Sequence, residues 1–121
     1  MSRHRRLADY LRHVADAASK IQIYTEGLSK TDFDQDERTQ QAVIFNLVII
    51  AEAAARMLET HAGFLDHYPD VPWKGMKGMR NRITHGYFEI NIDIVWETAQ
   101  TAMPELLIRL PDIIAAAETQ P

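Results

Sequence analysis

The chain has 121 residues, 46% of them hydrophobic, the size of one domain with enough apolar material for a core. It holds no cysteine, which excludes disulfides and thiolate metal sites and fits a reducing cytoplasm. The net charge of −4 excludes binding to nucleic acid through a general positive field, so an anionic partner has to meet a local basic patch.

No run of about 18 uninterrupted apolar residues exists, so no membrane-spanning helix is expected. The basic start, Met1 to His13, leads into an amphipathic pattern and not into an apolar stretch with a cleavage site, so it does not read as a signal peptide. Neither repeats nor low-complexity runs are present, and residues 1–121 read as one domain.

Four helices are predicted in chain order. The first runs from about Arg5 to Leu28. Leu7, Tyr10, Leu11, Val14, Ala17, Ala18, Ile21, Tyr24 and Leu28 recur every three or four residues as one apolar stripe. Gly27 and the polar run from Ser29 to Asp36 end it. The second runs from about Asp34 to His61. Its middle, Ala42 to Leu58, is apolar nearly all round, which places it at the centre of a bundle or under a second subunit. Glu52 and Arg56 stand four apart and are read as a buried or interfacial ion pair.

The third helix is expected to start at Pro72, with Asp70 as a candidate cap, and to run through Arg80 to His85, Gly86 lying just beyond its end. The fourth runs from about Asp93 to Ala117 and should kink or break near Pro104 or Pro111. Tyr87 to Ile94 alternates somewhat but has no partner strand. The fold class is therefore all-α, an up-and-down bundle of four to five helices.

Chemistry concentrates in one window. Between Asp70 and Glu89 no residue is acidic, while Lys74, Lys77, Arg80 and Arg82 give a local charge of +4. On an ideal helix, Asn81 and His85 lie one turn apart on the same face, with Lys74 and Lys77 roughly on that side. Met76, Met79 and Ile83 form the opposite, core-facing stripe. In the last helical turn the dipole would favour charged His85 and bring its titration toward neutrality. Arg80 lies about 140° from His85 on an ideal helix. The two converge only if Arg80 bends round, the helix end is distorted, or a second subunit completes a groove beside a dimer axis.

Other constellations are weaker. His61 and His67 are six apart, a poor ligand spacing, and read as surface histidines, so no metal is expected. Gly75-Met76-Lys77-Gly78 lacks the length and ending of a phosphate loop.

The window Arg80-Asn81-Arg82-Ile83-Thr84-His85-Gly86-Tyr87 resembles the HEPN superfamily, and within it the HepT-like proteins of prokaryotic HEPN/MNT toxin–antitoxin modules. The superfamily signature, Arg, a polar residue and a His a few residues on, is met by Arg80, Asn81 and His85. The HepT-like extension, Arg-X4-His-X-Tyr, is met by Arg80, His85 and Tyr87. Trp96, the leucines after Pro104 and Ile50-Ala51-Glu52-Ala53-Ala54 also look like this branch, although Ala51 stands where the family more often has glycine.

The resemblance implies a homodimeric bundle with the motif beside the interface and metal-independent RNA cleavage without a cofactor. His85 would act as general base or acid on the ribose 2′-OH, and Arg80 would hold the scissile phosphate. Asn81 would orient phosphate or His85, and Lys74, Lys77 and Arg82 would steer the strand. The implied partner is a nucleotidyltransferase antitoxin of the MNT type, forming a larger hetero-oligomer and adding AMP to Tyr87. The alternative role is a non-enzymatic acceptor subunit that binds nucleotide or the nucleotidyltransferase.

Overall fold

The computed structural model describes residues 3–84 and 89–119, with side chains from residue 6 onward. Its helices are α1 (Arg3–Thr25), α2 (Lys30–Asp34), α3 (Glu37–Thr60), α4 (Ala62–Leu65), α5 (Trp73–Ile83), α6 (Ile92–Glu97) and α7 (Met103–Glu118). A π turn (Thr98–Ala102) joins α6 to α7. The architecture is all-α, a helical bundle as the periodicity implies. α3 lies between α1 and α5, and α1 in turn packs on α7.

The first apolar stripe is buried as expected at Leu7, Leu11, Val14, Ala17, Ala18 and Ile21. It runs on through Thr25, not Tyr24, because continuation of the 3.6-residue spacing brings position 25 into line. The Thr25 hydroxyl donates to the Ile21 carbonyl at 2.9 Å, which satisfies it in the core. Tyr24 sits at the edge, 39% exposed. Gly27 adopts φ +77°, the left-handed conformation that turns the chain out of α1.

The polar run after Gly27 is not merely a linker. Ser29 Oγ accepts from the Asp32 amide and the Asp32 carboxylate accepts from the Ser29 amide, both at 3.1 Å, a reciprocal cap that starts α2. α2 puts Phe33 fully into the core against Trp96 of α6, ring centroids 5.1 Å apart. α3 accordingly starts at Glu37, later than the sequence suggests. Asp36 caps it by accepting from the Thr39 amide at 3.1 Å and the Thr39 hydroxyl at 2.6 Å.

By length and composition α3 would suffice to cross a membrane, contrary to the sequence expectation. Val43, Leu47, Ile50, Ala54 and Met57 are nevertheless completely buried, the place of a core helix in this bundle. Its outward face is another matter: Phe45 is 64% exposed. Glu52 and Arg56 do pair, at 3.7 Å, but their side chains are 64% and 60% exposed, so the pair is not buried within this chain.

The expected break near a proline is found ahead of Pro104. Pro104 has no N–H to offer the Gln100 carbonyl, and its ring crowds that carbonyl. The chain takes one wider turn instead, in which the Met103 amide reaches back five residues to the Thr98 carbonyl. Pro111 is carried inside α7.

Candidate active site at the end of helix α5

Trp73, Met76, Met79 and Ile83 form the buried stripe of α5, and Lys74, Lys77, Arg80, Asn81 and Arg82 are all exposed. The expected split between a core-facing apolar side and a basic side is therefore present. Among the described residues, none of these four cations enters an ion pair. Arg80 and Arg82 lie in the last turn, where the helix dipole favours positive charge. Asp70 does not cap this helix. Pro72 occupies the cap position, and Asp70 instead receives Arg109 of α7 through Nε at 2.5 Å and a terminal guanidinium nitrogen at 3.2 Å.

The helix ends sooner than the sequence predicts. Its last residue is Ile83, and Thr84 is extended at φ −119°, ψ 142°. Three contacts hold that ending. The Thr84 amide and hydroxyl both donate to the Arg80 carbonyl, each at 3.1 Å. The Asn91 amide donates to the Ile83 carbonyl at 2.7 Å. Thr84 and Ile90 form an isolated antiparallel bridge, the partner that the alternation around Ile90 did not reveal. Asn91 then caps α6, its side-chain oxygen accepting from the Ile94 amide at 3.1 Å.

The expectation that α5 continues to His85 is corrected, since its last helical residue is Ile83 and Thr84 is extended. His85, Gly86 and Tyr87 themselves lie outside the described residues. The described residues on either side of them are joined, Thr84 to Ile90 by the bridge and Ile83 to Asn91 by a hydrogen bond.

α6 is in turn tied back to α2. Lys30 Nζ lies 2.6 Å from Asp34 and 2.7 Å from Asp93, and this pairing raises its pKa. Among the described residues, no group of three His, Asp or Glu side chains is arranged to hold a metal. His61 sits at the α3–α4 junction, its Nδ1 2.7 Å from the Thr60 hydroxyl.

One feature had no sequence signal beyond Pro104. A groove runs between α5 and the arm formed by α6, the π turn and α7, with Arg82 on its rim. The Asp70–Arg109 pair closes its far end, and the Arg109 guanidinium also lies 5.8 Å from the Tyr68 ring centre. Hydrogen bonding from Arg109 holds the Asp70 carboxyl below the usual carboxylate range. A lowered pKa in the folded state contributes stability above that range, lost as the pH falls through it. Asp70→Asn is therefore expected to lower the melting temperature at neutral pH by the small amount typical of an exposed pair. The difference from wild type should shrink as the pH falls below the ordinary aspartate range and through the lowered pKa of Asp70, checked by thermal melts across pH.

The chain resembles several ribonuclease-named proteins along most of its length. It is 35% identical over 98 residues to the "Probable ribonuclease HepT" of Thermococcus cleftensis, covering 81% of this chain and 86% of that one. It is 33% identical over 109 residues to a candidate RNase of Methanocaldococcus jannaschii, covering 90% and 88%. A candidate RNase of Caldanaerobacter subterraneus is 32% identical over 105 residues, covering 87% and 91%. No solved structure matches the chain. The family described as Ribonuclease HepT-like matches residues 14–113, which include all of α3 and α5 and the whole Arg80–Tyr87 motif, and the chain belongs to that family.

Proposed function

We propose that this protein is a metal-independent endoribonuclease, the cytoplasmic toxin of a HEPN/MNT toxin–antitoxin pair. The observation that carries the reading is the Arg-X4-His-X-Tyr block, which begins in the last turn of a helix whose exposed cations form no ion pair among the described residues. Such a face neutralises phosphates in a protein that is otherwise acidic. Arg80 holds the scissile phosphate through its planar fork. His85 takes the 2′-OH proton, and O2′ attacks phosphorus as the bond to O5′ breaks. The leaving oxygen takes a proton from water, and a cyclic phosphate remains. Asn81 orients the phosphate or His85, while Lys74, Lys77 and Arg82 guide the strand.

In this reading a nucleotidyltransferase antitoxin silences the site. The Tyr87 phenol oxygen attacks the α-phosphorus of ATP and releases pyrophosphate. The added AMP brings negative charge and bulk to the basic face and keeps RNA away. The test is incubation of the purified protein with RNA in EDTA, after intact mass has shown an unmodified Tyr87. Cleavage supports the reading. Intact RNA would favour a non-enzymatic acceptor subunit.

The proposal includes a homodimer formed through the outer face of α3. Phe45, Val48 and Ile49 recur there at helical spacing, and with Tyr10 of α1 they leave an apolar strip on the surface. A two-fold axis through that strip buries it against itself. Phe45→Asp places a charge at the centre of the contact, and the variant is expected to sediment as a monomer with its helix content intact. An unchanged dimer would move the interface elsewhere.

A further inference from the structure

The groove beside α5 has two chemically different parts. The deeper part, of about 290 Å³, has an apolar floor that includes Met76 and Met79 of α5 and Met103 and Leu106 of α7. The outer part lies toward the motif and is edged by Glu97 and Glu105. Arg82, Thr98, Ala102 and Glu105 line both, so the two are continuous. The Asp70–Arg109 pair bounds the deep end, which leaves a short slot at the small end of the range for ligand pockets, about 300–1,000 Å³. An amphipathic partner helix, read over several turns, needs a longer trough.

The wall opposite α5 is the π turn. Such turns recur at functional sites. Here the turn carries Thr98 and Ala102 to the groove, and Thr98 is held in place by its hydroxyl donating to the Ile94 carbonyl at 2.7 Å. Charge is divided in a particular way. Lys74, Lys77 and Arg80 face solvent away from the groove, whereas the groove rim has two carboxylates beside Arg82. Among the described residues neither carboxylate forms an ion pair. A phosphate backbone is attracted to the first surface and repelled by the second. A flat, neutral group with an apolar face and N–H donors on its edge is suited to the second.

From this juxtaposition we infer that the groove is a base subsite, which takes one amino-bearing nucleobase of the RNA strand while the backbone stays on the basic face of α5. The inference rests on the ribonuclease reading for its biological substrate. Methionine side chains offer polarizable contact to an aromatic ring. Glu97 and Glu105 accept from the exocyclic amine of adenine, cytosine or guanine, as carboxylates do at base edges. Uracil has no such amine. Arg82 takes the phosphate of the same nucleotide, so it reads position as well as steering the strand.

The methionines supply the test. In protein labelled with ¹³C at the methionine methyls, AMP, GMP and CMP should shift Met76, Met79 and Met103. Met57, fully buried in α3, should stay in place as the internal control. UMP should need roughly tenfold higher concentration for the same shifts. Gly75 lines the groove, and a Cβ there would meet only the Pro72 side chain at an ordinary 3.5 Å. Gly75→Leu should therefore fill the slot and abolish the shifts without unfolding α5, and Gly75→Ala should preserve them. Glu105→Gln should weaken the preference over UMP.

Equal shifts with UMP, no shifts with any nucleotide, or binding unaffected by Gly75→Leu would overturn the base subsite. RNA cleavage in EDTA with unmoved methyls would overturn it and leave the ribonuclease reading standing. Selective shifts without cleavage would uphold the subsite and refute the ribonuclease.

Discussion

His85→Ala is expected to lower RNA cleavage by about 10²–10⁴-fold, the range for loss of one general acid or base. The reaction needs a group that removes the 2′-OH proton at neutral pH, and imidazole is the side chain whose ordinary titration permits this. Arg80→Ala should cost a comparable factor, because charge developing on the phosphate would lose its nearest planar donor. The two losses should not add in the double variant, since both act on one transition state. Arg80→Ala should not lower the melting temperature, because Arg80 is exposed. Cleavage that persists in His85→Ala at a tenth or more of the wild-type rate would remove His85 from the reaction. Tyr87→Phe offers the contrasting case in the same segment. It should keep cleavage and abolish acceptance of AMP, read by intact mass after incubation with the nucleotidyltransferase and ATP.

The sequence made the bundle legible because its long helices carry strong periodicity. Leu7 to Ile21 and Val43 to Met57 repeat at helical spacing, and both stripes are buried. Short elements were harder to see. α2 has five residues, too few for a period, and its evidence was the reciprocal Ser29–Asp32 cap ahead of Phe33. The end of α5 was misplaced for a related reason. Gly86 marked a helix end by composition, whereas the register is ended earlier by the Thr84–Ile90 bridge and the Asn91 amide, contacts made across six and eight residues that no helical pattern encodes. The basic face was readable from charge alone. The groove was not, because its walls come from α5 and α7, and only the folded chain brings Met76 to Met103.

Phe33→Ala is expected to cost about 3–5 kcal/mol, the range for truncating a fully buried aromatic residue. For a chain of this length that corresponds to a melting temperature lower by roughly 10–20 °C. The expectation follows from position as much as from area. Phe33 is completely buried, it packs on Trp96, and the carbonyl of its own residue accepts from Gln40 Nε2 at 2.8 Å, which joins α2 to α3. So short a helix is marginal by itself, and its cap and the Lys30 ion pairs are exposed, which leaves the buried ring as its main anchor. The loss should reach the site as well. Trp96 belongs to α6, which begins at the Asn91 cap, and Asn91 and Ile90 hold Ile83 and Thr84 at the end of α5. Phe33→Ala should therefore weaken cleavage even at temperatures where the variant remains folded. Phe33→Leu, which keeps most of the buried volume, should recover much of both. Phe45→Ala is the control, since that ring is mostly exposed and its removal leaves no cavity inside the chain. A fall of less than about 3 °C for Phe33→Ala would mean that α2 is not what secures α6.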